Sequence, residues 1–225
     1  MPAWNDVFPR FSPVGESALL VELGNELSFS VNERVHQLDA QIRQAQRAGI
    51  LACVPGYASL LVTYDPLQIN LRGVYDLIQT TLDSEAQISG SETKCVEIPV
   101  IYGGEYGPDL FFVAKANVLP AQFVVEKHTE PIYRVGMMGF TPGFPYLLGL
   151  DPDLATPRRK TPRMNVPAGS IGIAGGQTGI YPLESPGGWQ IIGRTQLGLY
   201  DPIYEPHFLL SPGDEVRFVA ERVIV

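Results

Sequence analysis

The residues of this chain that could do chemistry gather in three stretches and one isolated position. The first stretch is QTGIYPLESPGGWQIIGRT, residues 177–195. Gln177, Thr178, Tyr181 and Ser185 are neutral hydrogen-bonding groups, and Arg194 closes the run. Gly187 and Gly188 free the backbone beside the bulky Trp189. The second stretch is basic: Arg158, Arg159 and Lys160, then Arg163. Between Arg158 and Arg194 there are five basic residues and one acid, Glu184. Arginine is the side chain that grips carboxylate or phosphate through two parallel bonds. The third stretch, GFTPGFPY at 139–146, sets Phe140, Phe144 and Tyr146 among glycines that let backbone approach a ligand. His128 ends an expected helix, where the helix dipole favours its protonated form and where it could move a proton. Neutral donors with arginine suit a small polar acid or a nucleotide better than a metal. Each stretch also has a plain structural reading: an array of turns with Trp189 in the core, a packed loop, a solvated basic loop for Arg159 and Lys160, a helix-ending histidine.

Standard motifs are absent. There is no Walker A loop, and Gly172, Gly175, Gly176 and Gly179 do not follow G-x-G-x-x-G. PAGSIG at 167–172 is not a nucleophile elbow. The three histidines have no zinc spacing.

The elements that must position these groups fall into two parts. Ser17 to Leu23 reads as a strand. Ser30 and Glu33 have capping-box spacing ahead of a helical stripe of Val31, Val35, Leu38, Ile42 and Ala45, stopped by Gly49. Two strands follow around Pro55-Gly56, at 50–54 and 58–64. Leu71, Val74, Leu77, Ile78 and Leu82 mark a second helix, and Cys95 to Ile101 a further strand. This β-α-β-β-α-β order is the split βαβ, ferredoxin-like pattern, although its last strand could instead open the next domain. The polar segment Asp83 to Lys94 is the best linker, which divides the chain into domains 1–88 and 89–225. Beyond it, two short helices, PDLFFVAKAN and Pro120 to His128, precede short strands at 133–138, 169–174, 189–192 and 215–220 between Gly/Pro turns. That spacing suggests a barrel or sandwich, and the whole an α+β protein.

Composition bounds the function. The 225 residues carry net charge −8, 45% apolar and 18% charged side chains, as a folded globular protein does. Such an acidic chain is poorly suited to nucleic acid or anionic membranes. MPAWNDVFPRF lacks the basic start and apolar run of a signal peptide, and the uncharged stretch 135–150 is too short and too broken to span a bilayer. Cys53 and Cys95 lie in apolar, strand-like surroundings that read as two buried thiols. The expected location is the cytoplasm.

Four stretches also resemble a known family: VPGYASLLVTYDP (54–66), EIPVIYGGEYGPDL (97–110), GFTPGFPYLLGLDP (139–152) and TPRRKTPRMNVPAGSIGIAGGQTGIYPLESPGGWQIIGRT (156–195). The sequence is similar to the sporulation-kinase inhibitor (KipI) proteins, a family that also includes allophanate hydrolase subunit 1 and the B subunit of 5-oxoprolinase. The resemblance implies a small N-terminal α/β domain followed by a cyclophilin-like β-barrel; the word describes architecture, not isomerase activity. It implies a larger KipA-like partner (the C subunit of 5-oxoprolinase), a third partner (the A subunit), and an isolated chain without activity. Together the subunits would open 5-oxo-L-proline to L-glutamate with ATP, held with Mg2+ by the complex. In that chemistry Arg163 and Arg194 would meet phosphate or carboxylate and His128 would handle a proton. Arg158 would bind cofactor phosphate. Phe140, Phe144, Tyr146, Gln177, Thr178, Tyr181 and Ser185 would hold the substrate, with no metal ligand among them. Two alternatives stay open within the resemblance: inhibition of a sensor histidine kinase, and a carboxyl-transfer role on urea or allophanate. No biotin-attachment sequence is present to favour the second.

Overall fold

A computed structural model describes residues 7–84 and 94–225. The chain divides into two compact units, residues 1–92 and 93–225. Most of the expected linker falls outside the described residues, as does the start of the chain.

The first unit contains β1 (Arg10–Val14), β2 (Ala18–Glu22), α1 (Phe29–Ala45), β3 (Ile50–Pro55), β4 (Ser59–Tyr64) and α2 (Leu71–Asp83). Its sheet runs β1-β2-β4-β3, every neighbour antiparallel. Val35, Leu38 and Ile42, one face of α1, pack with Val74 and Ile78 of α2 on the inward face of β2 and β4. Helix α1 starts two residues earlier than its capping-box spacing indicates. Ser28, not Ser30, accepts from the Val31 N–H, and the Ser30 hydroxyl bonds to Ser28 instead. The helix ends at Gln46 in left-handed backbone, ahead of Gly49.

The ferredoxin-like expectation fails at its last strand. β2, β4 and β3 with the two helices keep the split order, but the position beside β2 is filled by β1. Residues 95–103 form β5 (Cys95–Gly103) in the second unit. Five consecutive buried or half-buried residues, Ile98 to Tyr102, suit it to a closed barrel better than to an edge.

The second unit continues with α3 (Leu110–Ala116), α4 (Ala121–Thr129), β6 (Tyr133–Met138), β7 (Pro145–Leu148), a 3₁₀ turn at Pro152–Leu154, β8 (Arg163–Val166), β9 (Ser170–Ala174), β10 (Gln177–Ile180), β11 (Ser185–Gly187), β12 (Gln190–Arg194) and β13 (Glu215–Ile224). Seven strands close a barrel in the order β10-β7-β6-β13-β5-β12-β9, and β11 and β8 pair separately. Parallel β5 and β13 stay in register from Cys95↔Glu215 to Gly103↔Ile224, with one irregularity. The interior is filled by branched and aromatic side chains such as Val135, Ile171, Ile173, Ile192 and Phe218. Both cysteines are free. Cys53 is buried, and burial pushes its thiol up to about 11. Cys95 is exposed at the start of β5, contrary to its apolar surroundings in sequence. Among the described residues no helix is long and apolar enough to cross a membrane.

Candidate functional site

Three chain segments of the second unit meet at one cavity. The β6–β7 turn brings Phe140, Phe144 and Tyr146; the segment after β10 brings Tyr181, Pro186, Gly187, Gly188 and Trp189; the segment before β8 brings Arg158, Arg159 and Pro162. Together they enclose about 290 Å³.

Backbone bonds fix the turn: the Thr141 N–H donates to Gly139 and the Phe144 N–H to Thr141. Phe140 takes φ +63°, a region that bulky side chains rarely adopt, and its ring stays 60% exposed at the cavity rim. Beneath it Phe144 is buried, with Tyr181 and Trp189 nearly perpendicular to it at centroid distances of 5.1 and 5.5 Å. Gly187 is required by this packing, since a Cβ there would collide with the Tyr181 hydroxyl.

The basic segment is held by an acid. Asp109, buried ahead of α3, accepts at Oδ1 from Arg159 (3.1 Å) and Arg163 (2.8 Å), and at Oδ2 from the Ile191 N–H (2.7 Å). Its own N–H donates to the Ile191 carbonyl, and the Arg159 N–H donates to Gly188. One carboxylate thus ties the start of α3, the basic segment and β12 together. Burial raises the phenols of Tyr146 and Tyr181; the Arg158 charge pulls both down, and the Trp189 N–H also lowers Tyr181. Arg158 lines the same cavity as both rings.

Phe140, Phe144, Tyr146, Tyr181 and Arg158 are thus brought together; the other candidates are not. Arg163, expected to meet phosphate or carboxylate of a ligand, donates instead through Nη2 to Asp109 and does not line the cavity. Arg194 lies over the Tyr106 ring, 5.3 Å from its centroid, away from the cavity. Gln177 is half-buried at the start of β10, paired with Ala174. Ser185 neighbours the cavity through Pro186 without lining it.

His128 and Thr178 are corrected most strongly, because both are fully buried inside the barrel. The Thr178 hydroxyl donates to the Gly172 carbonyl (3.0 Å), so it accepts from His128 Nε2 (3.1 Å). That leaves Nδ1 to accept from the Tyr102 hydroxyl (2.8 Å). With both ring nitrogens occupied and Phe218 against the ring, His128 has no path to a ligand. Burial pushes it down to about 3, outweighing the helix dipole that would keep it charged. Thr178 is spent in the same network.

Asp109 is the residue that sequence reasoning misses. Its signal is a matter of charge: an acid in the apolar run around GPDL must find cations if it is buried, and the chain's basic excess lies in residues 158–163. Among the described residues no three acidic, histidine or cysteine side chains gather as a metal site.

Comparison with known proteins bears on this geometry. Residues 9–210 match the family model for the carboxyltransferase domain, subdomain C and D. The chain is 42% identical over 220 residues to the B subunit of 5-oxoprolinase from Bacillus subtilis, covering 93% of this chain and 92% of that protein. It is 43% identical over 210 residues to the B subunit of 5-oxoprolinase from Escherichia coli O157:H7, covering 93% and 94%. Among solved structures, TTHA0988 is 39% identical with a TM-score of 0.79; the match covers 90% of this chain and spans 39% of that one. The conserved uncharacterized protein PH0987 from Pyrococcus horikoshii is 46% identical over 95% and 98% of the two chains, with a TM-score of 0.57. The urea amidolyase of K. lactis, at 24% identity and a TM-score of 0.79, shares the fold.

Proposed function

The chain belongs to the family of 5-oxoprolinase B subunits, and we propose on that footing that it serves as the B subunit of a complex that hydrolyses 5-oxo-L-proline to L-glutamate. The observation that carries this reading is the near end-to-end likeness, at 42–43% identity, to two proteins of that name. The cavity agrees in kind, with flat aromatic walls for a small ring and a guanidinium beside them.

The finer reading is that the reaction needs ATP and two partners, a KipA-like C subunit and the A subunit. It takes place in the cytoplasm and is not performed by this chain alone. A lactam is a poor electrophile, so either the attacking water must be activated or the carbonyl carbon must be made more electrophilic through its amide oxygen, before the ring C–N bond breaks. The cavity offers neither. Its titratable groups are two phenols with raised pKa values and two arginines, none of which serves as a base near neutral pH. It does not suit a nucleotide either. About 290 Å³ lies at the lower bound for small-molecule pockets, and no carboxylate lines it to share a Mg2+ ion. This chain's part is then to bind and orient the lactam and keep water from it, and ATP chemistry falls to the other subunits.

Glutamate release from 5-oxoproline and ATP tests this, with the chain alone, with its partner subunits, and with each subunit omitted. Release only from the full mixture supports an obligate subunit. Release from the mixture lacking this chain refutes the proposal.

A further inference from the structure

Three arginines stand at positions 158, 159 and 163, and a single carboxylate meets two of them. Asp109 Oδ1 receives both Arg159 and Arg163, so one negative charge faces two positive ones. Arg159 Nε and Arg163 Nη1 remain buried with no acceptor. Arg158 has no acid within ion-pair distance among the described residues. It is nevertheless a wall of the cavity, beside Tyr146, Tyr181 and Trp189. The cavity is therefore aromatic on most sides and carries positive charge on one. Its one cation free of an acid among the described residues is anchored by the Asp109 clamp on the next residue along the chain. A flat molecule with one negative charge at its edge satisfies both features: the ring meets aromatic faces, and the carboxylate meets a guanidinium through two bonds.

Resting on the 5-oxoprolinase reading, we infer that Arg158 is the residue of this chain that reads the substrate carboxylate, making it the determinant of selectivity for the acid over the neutral lactam. Arg163 and Arg194 do not line the cavity: one is held by Asp109 and the other lies over Tyr106. The assignment also separates the two parts of the ligand. The ring is held by side chains that carry no charge, so removing Arg158 weakens binding of acids without weakening binding of the bare ring.

The experiment uses the reconstituted complex with Arg158→Gln and Arg158→Lys in this subunit. Because Arg158 is exposed, neither change removes core packing. KM for 5-oxo-L-proline is measured together with inhibition by pyrrole-2-carboxylate, a planar acid, and by 2-pyrrolidinone, the lactam without its carboxylate. For Arg158→Gln, KM rises roughly 10- to 100-fold with kcat little changed, as expected for a lost bond to a charged group. Inhibition by the planar acid weakens by a similar factor, and inhibition by 2-pyrrolidinone is unchanged. Arg158→Lys keeps the charge but not the fork and falls between. An unchanged KM in Arg158→Gln overturns the inference. So does equal weakening of both inhibitors, or loss of subunit co-elution, which would mean that the guanidinium pairs with an acidic segment of a partner. A wild-type complex that releases no glutamate fails the parent reading instead, and is distinguished by the wild-type control.

Discussion

Replacing His128 should remove a specific part of the protein's acid sensitivity. In the folded chain the imidazole stays neutral down to about pH 3, because a charged ring would sit unsolvated in the barrel. In the unfolded chain it takes a proton near its ordinary value of 6.5. Its folded pKa is depressed, so below 6.5 the unfolded state binds a proton that the folded state refuses. Stability from this group is complete above pH 6.5 and falls as the pH drops toward 3. The slope is about 1.4 kcal/mol per pH unit, so from pH 6.5 to 5.0 the loss is about 2 kcal/mol, and over the full span about 5 kcal/mol.

Urea denaturation at pH 7.5, 6.5, 5.8 and 5.0 measures this on wild type and on His128→Gln, which can donate and accept but cannot charge. Wild type should lose about 2 kcal/mol between pH 6.5 and 5.0, and the variant should be nearly flat over the same range. His36 and His207 are present in both, so the difference isolates position 128. The absolute stability of the variant is immaterial, because the slope is the readout. Two results would refute the reasoning: parallel curves for the two proteins, or a wild type that is flat from pH 6.5 to 5.0. Either would mean that His128 charges in the folded state, and hence that water or a ligand reaches it.

Two further outcomes follow from the cavity's supports. Asp109→Ala leaves two guanidinium groups and the Ile191 N–H without their acceptor; Arg159 and Arg163 are 35% and 23% exposed, which lowers the cost of a fully buried broken pair to about 2–3 kcal/mol, and a thermal melt should fall by roughly 5–10 °C. A shift within about 1 °C would show that the clamp holds nothing. Gly187→Ala drives a Cβ into the Tyr181 hydroxyl and ring, an overpacking of roughly 1–3 kcal/mol, and Tyr181→Phe in the same chain should recover part of it because only the hydroxyl clash is relieved. Strictly additive losses in the double variant would place the two side chains apart.

What is legible in the sequence follows from how local each determinant is. Helices α1 and α2 are written in apolar spacings of three and four, and the middle of each stripe is buried while Ala45 and Leu71 at the ends are exposed. The strands β7, β10 and β11, of three or four residues each, carry too little period to be read, and β11 is a Ser-Pro-Gly turn sequence that pairs only because β8 lies beside it. The segment 95–103 is readable as a strand but its partner is not. Nothing within it says that a segment some 120 residues further on, and not the first sheet, will supply its parallel neighbour. The aromatic cluster is legible from residue type, since three aromatics among glycines within eight positions must lie near one another. The same rule of type fails for His128, Arg163, Arg194 and Thr178, because each is claimed by a partner 26 or more positions away.

The charge balance of the basic stretch itself demands a partner. Five cations against one acid over residues 158–194 cannot all face solvent in a segment so rich in glycine, proline and apolar residues, so some must be matched from outside it. The acid that does so has to be one with little solvent of its own, and Asp109 stands between Pro108 and the apolar run of α3. Once Asp109 is assigned to Arg159 and Arg163, three cations of the stretch are left, Arg158, Lys160 and Arg194, and of these only Arg158 lines the aromatic cavity. Under the inference drawn above, ligand binding falls to Arg158, the cavity arginine that the fold does not consume. A charge that stabilises the fold is already satisfied, and only an unsatisfied one gains by meeting a ligand.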